Sequence, residues 1–268
     1  MIDIPELILS KLKACPAGND KWRYAYELIV GAAASLLSAH THYVGTSHYG
    51  NKRRYESQPE ILHNLLLEAH KEAARTSQPI NLYYEGLEEW TAGYFFNSGI
   101  FRIACAYEYT LCTACGKDPY KGAHFKDDSS ALKQSAATPE LRRLLETIAG
   151  LKNFRKVEDR RTQNDKVNDL IDRLVRERPP TEQEQIGSIY ERLASKEDDF
   201  IEAALFYVWC DYNWFKHRPT GYPATDHPRK DPRVQFALAL RAYCGLCGFY
   251  AWCFNLAPTT WRDKKGSG

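Results

Sequence analysis

The sequence predicts an all-α protein, a helical bundle of about eight helices, and three observations lead there. Apolar residues recur at helical spacing along most of the chain. Capping residues followed by proline or an acid mark several helix starts. Alternating Val, Ile and Thr over a strand's length is scarce.

Pro5 to Lys13 reads as a short first helix, stopped by Cys15-Pro16-Ala17-Gly18. Lys21 to Ser38 is a second, whose small residues Gly31-Ala32-Ala33-Ala34 let another helix approach closely. His40 to Gln58 reads as irregular, polar and aromatic. Pro59 then stands at a first-turn position behind Ser57, and Ile61, Leu62, Leu65, Leu66 and Ala69 follow at helical spacing. A longer helix is expected from about Tyr84 to Cys112, with a Gly/Asp/Ser loop from Gly116 to Ser135.

Thr138-Pro139-Glu140 opens the next helix with cap, proline and acid in order. Lys152 to Arg178 alternates in charge with few apolar anchors and reads as a solvated helical segment. Thr181 with Glu184, and Ser195 with Asp198, have capping-box spacing. A helix from about Lys196 ends at His217, because Pro219 cannot continue it. A loop with four prolines leads to a last apolar helix behind Asp231. The expected layout is one all-α domain over 1–268. Its helical core covers about 1–115 and 181–258, a charged helical appendage about 136–180, and a tail 259–268.

Hydrophobic residues at 44% and charged residues at 26% are enough for a packed core, which excludes a disordered chain. Lys+Arg 36 against Asp+Glu 34 leaves a net charge of +2, so any nucleic-acid site has to be a local patch. The N-terminus lacks a signal-peptide pattern, and eight cysteines without one point to reduced thiols in a cytoplasm. Val234 to Leu256 is interrupted by Gln235, Arg241 and Asn255 and reads as a buried core helix, so no membrane association is expected.

The stretch Trp209-Cys210-Asp211-Tyr212-Asn213-Trp214-Phe215-Lys216-His217-Arg218 concentrates reactive groups at a helix end. Asn213 and His217, four apart, share one face with Trp209, and Asp211 and Arg218 share another. The carbonyl end of the helix favours an imidazolium there. Beside Lys216 and Arg218, such an imidazole could bind a phosphodiester and move its protons.

Tyr212-Asn213-Trp214-Phe215-Lys216-His217 resembles the motif of the HEPN superfamily: arginine, a polar residue, three variable residues, then histidine. Asn213 and His217 fall on motif positions, and Tyr212 stands where the family has arginine. The resemblance covers six residues and a helical context. It implies a HEPN-like core and an RNA-directed protein of a prokaryotic defence or toxin type, active as a metal-independent endoribonuclease without a cofactor. It also implies a homodimer and a protein partner such as an antitoxin. His217 and Asn213 would be catalytic, with Lys216, Arg218, Asp211 and Tyr212 on the substrate. Members without the motif imply the alternative, an inactive helical module that binds a protein partner or small ligand.

Two Cys-x-x-Cys pairs, Cys112/Cys115 and Cys244/Cys247, leave open a shared tetrathiolate metal site if folding joins them, or two sets of small buried hydrophobes. His40, His42 and His48 near Lys52, Arg53 and Arg54 read as a solvated loop or a phosphate-contacting one. Glu108, among Tyr107, Tyr109 and Leu111, reads as a paired structural carboxylate or a site acid.

Overall fold

Three helices begin where an aspartate or threonine stands just ahead of a proline. Asp3 accepts a hydrogen bond from the Glu6 N–H at 2.9 Å ahead of α1 (Ile4–Lys13). Thr138 accepts one from Leu141 N–H at 3.2 Å ahead of α5 (Pro139–Ala149). Asp231 accepts one from Arg233 N–H at 2.9 Å ahead of α9 (Pro232–Asn255). In each the side-chain oxygen satisfies a donor that the helix cannot, and proline occupies a position that needs no N–H.

The computed structural model describes residues 2–45, 87–118, 122–151, 157–217 and 231–256. Among these it holds nine helices and no strand, so the chain is all-α. The other six are α2 (Arg23–Gly45), α3 (Leu87–Ala114), α4 (Phe125–Lys133), α6 (Val157–Val175), α7 (Ile186–Ala194) and α8 (Glu197–His217). The helix expected behind Pro59, the basic residues 52–54 and the tail lie outside the described residues.

The centre of the core is α9. Phe236, Leu238, Leu240, Tyr243, Leu246, Phe249 and Tyr250 are fully buried, and the helix touches α1, α2, α3, α7 and α8. It is long and apolar enough to cross a bilayer, yet 83% of its most apolar window is buried within the protein. α2 and α3 both pack on it and run antiparallel to each other: Tyr24 meets Tyr109 with ring centroids 4.8 Å apart, and Gly99 lies under Leu36. The approach is close at Gly31, where a Cβ would stand 2.8 Å from the Arg102 side chain. Arg102 crosses α2 there and donates to Ser35 Oγ at 2.9 Å.

Four local expectations need correction. The second helix continues to Gly45, into the stretch expected to be irregular. The loop expected at 116–135 contains α4. Its Phe125, Asp128, Ser129 and Leu132 are buried, and Asp128 accepts from the His124 N–H at 2.9 Å. Thr181 and Glu184 do not open a helix, since α7 begins at Ile186; the Glu184 carboxylate accepts from the Thr181 backbone N–H and also takes Arg192 at 3.1 Å. Ser195 does not cap α8 either; its hydroxyl donates back to the Arg192 carbonyl at 2.7 Å, closing α7. The charged segment α6 has one apolar edge: Val167, Leu170, Ile171 and Leu174 are buried, and the helix packs on α8.

Candidate functional site

α8 carries the residues singled out above. Glu197, Asp198 and Asp199 fill its first turn, where the positive end of the helix dipole favours acids. From Phe200 to Tyr212 every residue except Glu202 is buried, so helix packing fixes the register leading into the motif. The backbone stays helical through His217. The side chains of Asn213, Lys216 and His217, and all of Arg218, lie outside the described residues.

Tyr212 is 4% exposed. Its ring centroid lies 5.3 Å from that of Phe101 and 5.1 Å from that of Trp209, which meets Phe125 edge-on at 4.7 Å. Burial, reinforced by neighbouring charges and a hydrogen bond with Cys105, pushes the phenol far above its usual range. Position 212 therefore supplies a neutral, caged ring and no cation.

Asp211 lies one residue earlier and is 2% exposed. It lines a small open cleft that, among the described residues, is formed by three helices. α6 contributes Asn164 and Asn168 with Val167 and Ile171; α8 contributes Tyr207, Cys210 and Asp211; the start of α9 contributes Asp231, Val234 and Gln235. The Tyr207 hydroxyl donates to Gln235 Oε1 at 3.4 Å, joining α8 to α9.

The rim is anchored by Arg233. Its Nε bonds Asp231 at 2.9 Å, and its Nη1 donates to the carbonyls of Thr181 and Glu184 at 2.8 Å and Glu182 at 3.1 Å. These bonds hold the 181–184 loop to the start of α9.

The two Cys-x-x-Cys pairs are not brought to one centre. Cys15 donates to the Cys247 carbonyl at 3.8 Å, and the two thiols are hydrogen-bonded, which lowers Cys15 and raises Cys247. Cys244 pairs with Tyr190, and burial raises its thiol. Burial pushes Cys112 up to about 11 and Cys115 up to about 12, and Cys115 lies 3.8 Å from the Asp128 carbonyl. Among the described residues no group of three or more His, Cys, Asp or Glu could hold a metal ion. The tetrathiolate arrangement is therefore corrected: Cys244 and Cys247 are spent on α7 and the loop after α1, away from Cys112 and Cys115.

His40 is half-buried with its ring 5.8 Å from Phe236, so it packs against the core; the side chains of His42 and His48 lie outside the described residues. Glu108 is a structural acceptor, taking the Ala123 N–H at 3.3 Å.

Sequence reasoning missed Asn164, Asn168, Tyr207, Asp231 and Gln235 as one lining set. A partial signal existed: Asn164/Asn168, Tyr207/Asp211 and Asp231/Gln235 are each four apart and so share a helix face. Nothing in that spacing says that the three faces meet. No protein-family model, curated protein or solved structure matches this chain.

Proposed function

We propose that this is a HEPN-like, RNA-directed protein of a prokaryotic defence or toxin type, and that the C-terminal turn of α8 is where RNA is held. The observation that supports it is the unbroken helix through His217, which keeps Asn213 and His217 one turn apart at a carbonyl end. In this reading His217 takes the proton of the attacking 2′-hydroxyl or returns one to the leaving 5′-oxygen. Asn213 orients the phosphate, and Lys216 with Arg218 offsets its charge.

A second reading is a non-catalytic helical module for a protein partner or small ligand. The burial of Tyr212 favours it, since no cation comes from that position. Incubation of RNA with wild type and His217→Ala in EDTA separates the two. Cleavage to 2′,3′-cyclic phosphate ends, lost in His217→Ala, supports the nuclease. Intact RNA with folded wild type supports the binding module.

A further inference from the structure

We propose that Cys15 and Cys247 form a redox-modification site, oxidised by a small hydroperoxide to a disulfide that fastens the loop after α1 to α9. The proposal goes beyond the RNA reading and holds whether or not the end of α8 handles RNA.

The fold brings together two cysteines 232 residues apart in sequence. Cys15 Sγ lies 3.8 Å from the Cys247 carbonyl oxygen and 3.5 Å from that of Lys11, between the last turn of α1 and α9. The two thiols are hydrogen-bonded to each other. Bonds on either side hold the loop in that register. The Tyr243 hydroxyl donates to the Ile8 carbonyl and the Tyr250 hydroxyl to the Pro16 carbonyl, each at 3.3 Å. Trp22, at the far end of the loop, meets Tyr250 edge-on at 5.6 Å. Residues 14–22 are non-helical, so Cys15 can shift toward α9 more freely than a helical residue, as closure to a bond of about 2 Å requires. Cys244, one turn from Cys247, pairs with Tyr190 instead.

Access and reactivity order the step. Cys15 is 7% exposed, beside exposed Ala17, Asn19 and Asp20, whereas Cys247 is 2% exposed. The hydrogen bond with Cys247 also holds the Cys15 thiol below its usual value, which favours the thiolate. The Cys15 thiolate attacks one peroxide oxygen; an S–O bond forms, the O–O bond breaks, and the departing hydroxide is protonated to water. The Cys247 sulfur then attacks the sulfur of the Cys15 sulfenic acid. The S–S bond forms, the S–O bond breaks, and hydroxide leaves as water with the Cys247 proton. Two thiols lose two electrons and two protons, and one hydrogen peroxide becomes two waters.

The full-length protein is treated with hydrogen peroxide, unfolded, alkylated with iodoacetamide and digested without reduction for mass spectrometry. The expected result is a Cys15–Cys247 cross-link, reversed by dithiothreitol, with two of the eight thiols unalkylated. The oxidised protein should melt about 5–10 °C above the reduced one, because the cross-link closes a long loop. Cys15→Ala should lose both the cross-link and the shift, and Cys244→Ala should keep both. Should Cys244→Ala fail to fold, Cys15→Ala still decides. No Cys15–Cys247 cross-link in the folded protein, a cross-link through other cysteines instead, or an unshifted melting temperature overturns the proposal. RNA cleavage is measured separately, so either reading can fail alone.

Discussion

Arg241 is a cation in the middle of the most buried helix, 6% exposed, and its Nη2 donates to Glu140 Oε1 at 3.0 Å and to Glu197. Its two carboxylate partners lie in the first turns of α5 and α8 and are 61% and 48% exposed. The two sides of this network therefore respond unequally to mutation. In Glu140→Gln/Glu197→Gln the guanidinium stays buried without a counter-charge. Removing the partner of a buried charge costs roughly 3–5 kcal/mol, and the half-exposed, screened carboxylates bring this to about 2–3 kcal/mol. Arg241→Met removes the desolvated charge itself and leaves two glutamates that can rehydrate, a loss of about 1 kcal/mol or less. Unfolding followed by circular dichroism at 222 nm should show the double glutamine variant melting about 5–10 °C lower and Arg241→Met only a few degrees lower. Asp198→Asn, in the same first turn of α8, gives the helix-dipole contribution alone. An Arg241→Met protein less stable than the double variant, or a double variant matching wild type, would refute this reasoning.

The remaining predictions test packing and titration. His40 has a pKa below the usual 6.5 because burial disfavours the imidazolium, with the Asp3 charge acting the other way. The unfolded chain then takes up the proton first as pH falls, so this contribution is intact above 6.5 and declines below it. His40→Phe should flatten the loss of stability between about pH 6.5 and 5 in urea titrations, and an unchanged slope argues against it. Gly245→Ala puts a Cβ 2.9 Å from Tyr107 Oη, whose hydroxyl donates to the Ala242 carbonyl at 2.8 Å. It should destabilise by about 1–3 kcal/mol, partly recovered by adding Tyr107→Phe. Tyr212→Arg buries a guanidinium among Phe101, Trp209 and Cys105, with the Glu108 charge nearby, so a lower melting temperature is expected; a fully stable variant contradicts the cage. Cys112 and Cys115, pushed up to about 11 and about 12, should resist iodoacetamide at neutral pH until the protein is unfolded; labelling of the native protein contradicts this.

Helix starts were legible where the signal is local. Asp3, Thr138 and Asp231, each ahead of a proline, need only neighbouring residues to act, and the helices begin beside them. α4 was hidden because Asp127, Asp128, Ser129 and Ser130 read as loop, while burial of Phe125 and Leu132 and the bond from the His124 N–H to the Asp128 carboxylate depend on the folded surroundings. The apolar edge of α6 was obscured by its many charges. The acceptor-lined cleft was illegible for a different reason. Asn168, Asp211 and Gln235 come from three helices, and only their packing makes them neighbours.

The proposed holding of RNA at the end of α8 is tested by fluorescence anisotropy with a labelled single-stranded RNA. Wild type is predicted to bind with a salt-dependent affinity. Lys216→Ala/Arg218→Ala should bind more weakly, with the slope of log K against log salt reduced by about 1.4, the value for two lost phosphate contacts. No binding by folded wild type, or an unchanged affinity and slope in the double variant, would contradict the claim.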